Sequence, residues 1–180
     1  EAFVLDLSDG SLILAEKKYE VNGEKCFYFS ELFLECRAPL SQKSKLDIVT
    51  RAVDQVAKKY YGDEDAQKKM KIKDIICNEL EEQGEIKVSE LREKVFPGSP
   101  EMLEELDEKL DRYNLSYETV APKNEQTIKK FQKQKLYTDT GIEITIPMEE
   151  YRNPDHVEFI TNMDGTISVL IKNIGMLSSK

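Results

Sequence analysis

The chain has 180 residues, of which 39% are hydrophobic and 34% charged, a composition typical of a folded globular protein rather than a disordered one. Its 26 lysines and arginines against 35 acids give a net charge of −9, which repels phosphate on average and argues against a general nucleic-acid binder, although not against a local basic face. No stretch of the sequence approaches the roughly 18–20 apolar residues that a membrane-spanning helix needs.

The amino end and the cysteines are typical of a cytoplasmic protein. The chain starts at Glu1 with neither an initiator Met nor a signal-type apolar region, and we expect it to be a piece of a longer protein. Its three cysteines, Cys26, Cys36 and Cys77, are odd in number, and their spacing matches no zinc site. We therefore predict buried, reduced thiols and neither a metal nor a cofactor.

The first 40 residues predict β-structure. The apolar run Ala2–Leu7 ends in a turn, and the runs Ser11–Val21 and Lys25–Cys36 flank Asn22-Gly23, the dipeptide that favours a two-residue hairpin turn. The alternation of the last run breaks down near its end, where we expect a bulge or the passage of the strand into a loop.

Residues 41–113 predict helices. Hydrophobic side chains in Ser41–Tyr61 recur at three- and four-residue spacing, which places one stripe inward. The stripe consists of Leu46, Val49, Val53, Val56 and Tyr60. The elements predicted after it are a helix over 63–83, a strand over 85–88, a helix over 90–96 capped by Ser89, and a helix that Ser99 and Pro100 begin.

This order is superficially similar to that of a winged-helix or helix-turn-helix protein. The last of the helices, however, carries six acids over 101–111 against Lys109 and Arg112. The phosphates that flank a DNA groove would repel such a helix, so we exclude it as a DNA reader.

Residues 114–180 return to β-structure around one helix. We expect strands over Ser116–Val120 and Ile142–Ile146, a helix over Lys123–Lys135 with Ile128 and Phe131 inward, and a hairpin of Val157–Thr161 and Thr166–Lys172. The chain as a whole predicts an α+β fold, with antiparallel strands at both ends around a helical middle. Its predicted parts are a β-rich opening segment over 1–40 that shares its sheet with a preceding region, a helical region over 41–113 and an α+β segment over 114–180.

Short apolar signatures follow one another in a characteristic order. They are Phe33-Leu34-Glu35-Cys36-Arg37, Tyr60-Tyr61-Gly62, Glu81–Ile86, Ser89-Glu90-Leu91, Tyr113–Tyr117, Thr127–Phe131, Gly141–Ile146 and Asp164–Ile167. Together they resemble the carboxy-terminal half of the bacterial nucleoid-associated protein family of the NdpA type, over essentially the whole chain. The resemblance implies a cytoplasmic, nucleoid-localised, non-enzymatic protein whose partners are double-stranded DNA and, further, RNA or nucleoid proteins. It carries over no catalytic residues and no DNA contacts.

Candidate DNA contacts therefore come from charge alone. The best basic cluster consists of Lys123, Lys129, Lys130, Lys133 and Lys135. On one helix, Lys129, Lys130 and Lys133 would share a side that suits a phosphate backbone without base selectivity. The plainer alternative is a solvated helix face. The same alternative explains a second cluster, which is diluted by Asp47 and Asp54 and consists of Lys43, Lys45, Arg51, Lys58 and Lys59.

The other candidates have structural explanations. His156 has no nucleophile or metal ligand near it in the sequence and is explained as an ordinary turn residue. The acids at 63–65 and 101–111 lack the spacing of a calcium loop. The aromatic run of Phe27, Tyr28, Phe29 and Phe33 lacks the signature of an RNA-binding sheet and is explained as core. No nucleotide-binding or hydrolase motif occurs, and no catalytic site is predicted.

Two functions fit these observations. The favoured one is a nucleoid-associated module that contributes to association with double-stranded DNA. The alternative is a protein-interaction scaffold that partner proteins recruit to the nucleoid. In either case the opening strands would leave an unpaired edge, through which we expect the chain to form a homo-oligomer.

Overall fold

The structure is a computed structural model that describes residues 2–5, 7–8, 12–21, 23–35, 39–62 and 65–178. The chain divides into two compact units, Glu1–Ser41 and Gln42–Lys180. Several residues named from the sequence lie outside the described residues, namely Glu1, Ser11, Asn22, Cys36, Arg37, Asp63 and Glu64.

The first unit holds two separate pairs of antiparallel strands. β1 (Ala2–Leu5) pairs with β2 (Leu12–Ala15), and β3 (Lys18–Val21) pairs with β4 (Glu24–Phe27). The second pair confirms the predicted hairpin. Gly23 in its turn has a φ of +84°, a left-handed conformation that glycine adopts without steric cost.

The predicted strand over Lys25–Cys36 is wrong beyond Phe27. The chain leaves β4 and forms a π-helical turn over Tyr28–Phe33. Two carboxylates hold this turn: Glu31 accepts the backbone N–H of Phe27 at 3.1 Å, and Glu16 accepts that of Ser30 at 3.0 Å. Because side chains satisfy these amides, the segment needs no strand partner for them.

The second unit is built around four helices: α1 (Gln42–Tyr61), α2 (Ala66–Glu82), α3 (Val88–Val95) and α4 (Pro100–Asp111). The stripe predicted for α1 is buried, since Leu46, Val49, Val53 and Val56 are all 0% exposed. Tyr60 is the exception, at 39% exposed. Side chains of all four helices form one hydrophobic core, in which Phe96 is fully buried.

The sequence signals at the helix starts agree with the structure at α2, which follows the acids over 63–65, and at α4, where Ser99 precedes the helix without a side-chain capping bond. The Asp65 carboxylate accepts the N–H of Lys68 at 3.1 Å at the start of α2, and Pro100 is the first residue of α4. Ser89, by contrast, lies inside α3. That helix begins one residue earlier, directly after β5 (Ile86–Lys87), where Val88 donates its N–H to a carbonyl 3.1 Å away in the segment before β6 (Thr119–Val120).

The rest of the second unit consists of α5 (Glu125–Lys129), β7 (Lys133–Tyr137), β8 (Glu143–Pro147), α6 (Met148–Arg152), β9 (Val157–Thr161) and β10 (Ile167–Ile171). The strands pair antiparallel as β5–β6, β7–β8 and β9–β10, and the last pair confirms the predicted hairpin. Strands at both ends and helices between them confirm the α+β class. None of the described helices is long and apolar enough to cross a membrane.

Candidate nucleic-acid interface

The five predicted lysines lie on and beside α5 and β7, and all of them are exposed. Lys123 precedes α5, Lys129 ends it and Lys130 follows directly, whereas Lys133 and Lys135 lie on β7. The predicted helix over Lys123–Lys135 is therefore confirmed only over α5 and is wrong from Lys133 onward, so Lys133 does not share a helix face with Lys129 and Lys130. A helix of five residues and a strand present these lysines instead.

β7 turns its two lysines to the same side. Successive strand residues face opposite ways, and Lys133 and Lys135 are exposed while Gln134 between them is 2% exposed. The next residue of this outer face is Tyr137, which is 67% exposed. The outer face of β7 thus carries two ammonium groups and an aromatic ring in a row.

Gln134 fixes which face of β7 is outward. Its Nε2 donates to the backbone carbonyl of Met70 at 2.8 Å, which ties β7 to α2. Next to it, Met148 donates its N–H to the carbonyl of Gln132 at 2.8 Å. A slip of one residue in the pairing would expose Gln134 and bury a lysine, so these two bonds set the register of the lysines.

The pairing of β7 with β8 completes the outer face. Lys133 lies opposite Pro147, Lys135 opposite Thr145, and Tyr137 opposite Glu143. Antiparallel neighbours on one face lie about 4.5–5.5 Å apart between their Cβ atoms. Glu143 is the one acid on the outer face of this hairpin among the described residues.

Lys73 of α2 adds a charge that sequence reasoning missed. Its Nζ donates to the carbonyl of Lys133 at 2.7 Å. Burial lowers the pKa of Lys73, Asp54 opposes this effect, and Lys135 lowers the pKa further. Lys73 lies on the helix predicted over 63–83, where no local signal in the sequence points to a contact with a residue 60 positions away.

Most of the cluster is free of acid partners. Lys129 lies 3.5 Å from Glu125, one turn earlier in α5. Within the described part of the chain, the other four predicted lysines form no ion pair. Those four are Lys123, Lys130, Lys133 and Lys135. They can approach a phosphate without first giving up a carboxylate.

The second basic cluster is different, because acids from elsewhere in the fold neutralise part of it. Lys45 pairs with Glu118 at 2.6 Å, and Lys59 pairs with Glu105 at 2.5 Å. These partners lie far away in sequence, so spacing alone does not reveal them. Two of the five members of the cluster on α1 are therefore held in ion pairs with acids of other elements.

The acidic face of α4 remains acidic in the structure. Glu101, Glu104 and Glu108 are exposed, while Asp107 is held by Arg92 at 2.5 Å. The order α2–β5–α3–α4–β6, with β5 paired to β6, has the layout suspected from the sequence. In that layout α4 would be the helix that reads DNA, but it presents carboxylates where a DNA-reading helix needs cations.

His156 is partly exposed and contacts an acid, and of the two described cysteines Cys77 is buried whereas Cys26 is partly exposed. The Nδ1 of His156 contacts the carboxylate of Glu150 on the wall of a cavity of about 330 Å³, which β8 and the end of β10 line. Cys77 is fully buried, and burial raises its pKa to about 11. Over the residues that the structure describes, no group of three or more His, Cys, Asp or Glu could hold a metal ion.

Comparison with known proteins gives one match. A sequence profile of the family described as Nucleoid-associated protein YejK matches residues 6–176, nearly the whole chain. No curated protein and no solved structure matches the chain.

Proposed function

Because the chain belongs to the nucleoid-associated protein YejK family, we propose that it contributes directly to association with double-stranded DNA, through the lysines of α5 and β7. Its role is to bind rather than to catalyse, and its place of action is the nucleoid, in the cytoplasm. The residues that we assign to the DNA contact are Lys123, Lys129, Lys130, Lys133 and Lys135.

The observation that carries this proposal is the set of four exposed lysines with no ion pair in the described part of a chain whose net charge is −9. Lysine is a compact point charge, so it suits phosphate and gives little discrimination between bases. We therefore expect binding that tolerates any sequence and depends strongly on salt. Four phosphate contacts predict a slope of about −3 to −4 in a plot of log affinity against log salt.

Fluorescence anisotropy with a labelled duplex tests the proposal. We expect the affinity to fall about 100-fold between roughly 50 and 200 mM salt. Replacing two lysines of β7, in Lys133→Gln plus Lys135→Gln, should weaken binding at every sequence tested and reduce the salt slope by about 2.

A matched control separates the local surface from net charge. The variant Lys109→Gln plus Arg112→Gln makes the same change in net charge at the acidic helix α4, and we expect its affinity to stay close to that of the wild type. Equal losses in the two double variants would contradict the assignment of the lysines of α5 and β7.

The net charge of −9 favours the second candidate, a scaffold that reaches the nucleoid through partner proteins. The same titration distinguishes the two candidates. Absence of binding by the wild type at low salt would support the scaffold and overturn direct contact with DNA.

A further inference from the structure

The cavity beside His156 runs along one edge of β8. Four consecutive residues of this strand, 144–147, line it. Successive side chains of a strand point to opposite faces, so a cavity that touches all four lies at the edge of the strand rather than on either face. β7 occupies the other edge. The cavity therefore adjoins the edge of β8 that has no strand partner among the described residues.

The hydrogen bonds between β8 and β7 show which backbone groups this edge presents. Met148 donates its N–H to the carbonyl of Gln132 at 2.8 Å, and Thr138 donates to that of Ile142 at 3.0 Å. In an antiparallel pair the bonded positions alternate, so the even-numbered residues from 142 to 148 turn their backbone groups toward β7. Thr145 therefore turns its N–H and C=O outward, and in the described part of the chain neither group has a partner.

β10 brings a second free edge to the same cavity. Among the described strands it pairs with β9 alone, and the residues after its midpoint that line the cavity are Ile171, Lys172 and Asn173. Lys172 donates its N–H to the carbonyl of His156, beside β9, at 2.8 Å. Because bonded positions alternate, Ile171 turns its own N–H and C=O away from β9. Two unpaired strand edges thus reach one cavity.

The volume of the cavity suits the backbone of an extended chain. A strand residue rises about 3.4 Å, lies about 4.8 Å from the next strand and fills a sheet about 10 Å thick, which amounts to roughly 160 Å³. The cavity of about 330 Å³ therefore has room for about two residues of a strand. An added strand has donors and acceptors on both sides, so it can bond to β8 on one side and to β10 on the other.

The unpaired charges around the cavity are acidic. Glu143, Glu149 and Asp155 each adjoin a lining residue in the chain, and all three are exposed. None of them forms an ion pair in the part of the chain that the structure describes. The lining lysine, Lys172, is already paired with Glu158 at 2.6 Å. The surroundings of the cavity therefore favour a cationic partner over an anionic one.

We propose that this cavity binds an extended peptide segment of a partner protein, which adds as a strand between β8 and β10. The segment is apolar at its centre and carries lysine or arginine on either side. Thr145 and Ile171 supply the backbone bonds, while Ile144, Ile146 and Val157 supply apolar contacts. The exposed acids attract the two ends of the segment. This site is separate from the lysines assigned to DNA and does not depend on the proposed function.

Fluorescence anisotropy of a labelled peptide tests the site without any DNA. The probe is Lys-Val-Thr-Val-Lys, capped at both ends, and the protein is the whole 180-residue chain. We expect a dissociation constant between about 10 and 100 µM. The same peptide with a methyl group on its central amide nitrogen keeps every side chain but loses a backbone donor, and it should bind about tenfold more weakly or worse. The peptide Glu-Val-Thr-Val-Glu should also bind more weakly, because the acids around the cavity repel it.

Thr145→Pro removes the outward N–H of β8 and leaves its ladder with β7 intact, because proline is tolerated at a strand edge whose N–H is unpaired. We expect it to lower the affinity for the lysine peptide about tenfold or more. The matched control is Thr161→Pro. Asn162 donates its N–H to Thr166 at 2.8 Å, so Thr161 also turns its N–H outward, on the free edge of β9 and away from the cavity. Its affinity should stay within about twofold of the wild type.

Hydrogen exchange in the unmodified protein gives a readout that needs no variant. The amides of Thr145 and Ile171 should both exchange more slowly once the lysine peptide is bound, because the added strand protects both edges.

Four results would overturn the site. The first is no binding of the lysine peptide up to about 1 mM. The second is equal affinity for the methylated and unmethylated peptides, and the third is an equal loss in Thr145→Pro and Thr161→Pro. The fourth is slow exchange of both amides in the peptide-free protein, which would show that the chain itself already covers the two edges.

Discussion

Cys77 couples the stability of the second unit to pH. Burial raises its pKa from an ordinary value near 9 to about 11, and the neighbouring Glu81 carboxylate acts in the same direction. Between these two values the folded thiol keeps a proton that the unfolded thiol has lost. The contribution of Cys77 to stability is therefore complete below pH 9 and is lost as the pH rises to 11. We expect the free energy of unfolding to fall by about 1–2 kcal/mol across this window on account of Cys77.

Urea unfolding at about pH 8 and pH 11 measures this fall. Lysines and tyrosines also titrate in the window, so the comparison is between the wild type and Cys77→Ala. The variant loses stability at both pH values through the cavity that it leaves, and only the difference between the two pH values is informative. An equal fall in both proteins would show that Cys77 carries none of the dependence.

Gln134 is a buried polar residue whose side-chain Nε2 donates to the carbonyl of Met70 and to the sulfur of Met148. Gln134→Leu removes the side-chain donor 2.8 Å from the carbonyl of Met70, which keeps its bond within α2, and we expect a loss of about 0.5–1.5 kcal/mol in the free energy of unfolding. Lys133→Gln, one residue away on the exposed face of β7, is the control and should change stability by less than about 0.5 kcal/mol. Chemical denaturation of the two variants gives both numbers. Equal stabilities would contradict the role given to the Gln134 amide.

At the scale of elements, Arg152 joins α6 to α2. Its Nε lies 2.6 Å from Asp74 and its Nη1 lies 2.9 Å from Glu81. All three side chains are about one-third exposed, so solvent screens the pairs, and we expect Arg152→Met to cost about 1 kcal/mol. Arg152→Lys keeps the charge but not the planar fork and should recover only part of the loss. Denaturant midpoints of the two variants and the wild type, at low and high salt, measure the loss of stability. A loss that does not depend on salt would argue against electrostatic stabilisation by Arg152.

The elements that sequence reasoning places well are those whose signals are local. The stripe of α1 buries four of its five predicted residues, and Pro100 begins α4 as expected. The helix predicted over Lys123–Lys135 fails beyond α5 for a non-local reason. Lysine and glutamine are good helix formers, but the carbonyl of Met70 captures Gln134 and β8 pairs with β7. These contacts decide that Lys133–Tyr137 forms a strand rather than a helix. The local sequence pattern around these residues does not reveal them.

The candidate site likewise has a part that the local sequence predicts and a part that depends on distant contacts. Composition was enough to find the five lysines, and all five are exposed. Their arrangement depends on strand pairing, so the row of Lys133, Lys135 and Tyr137 and the contribution of Lys73 could not be predicted. The sequence could not predict the ion pairs of Lys45 and Lys59 either, because their acids lie 73 and 46 residues away.

At the scale of the whole molecule, the burial of apolar side chains is unequal. In the described part of the chain, every buried hydrophobic residue lies between Leu46 and Val157, inside the second unit. We therefore expect residues 42–180 alone to fold, with a midpoint of thermal unfolding within about 5 °C of the corresponding transition of the full chain. Circular dichroism on heating measures it.

The same truncation tests which of the two units contacts DNA. Residues 42–180 retain the lysines of α5 and β7, so their affinity for a DNA duplex and its salt slope should match those of the full chain. A truncated chain that folds but no longer binds DNA would place the phosphate contacts in the first unit. A truncated chain that fails to fold would show that the core between Leu46 and Val157 depends on the first unit.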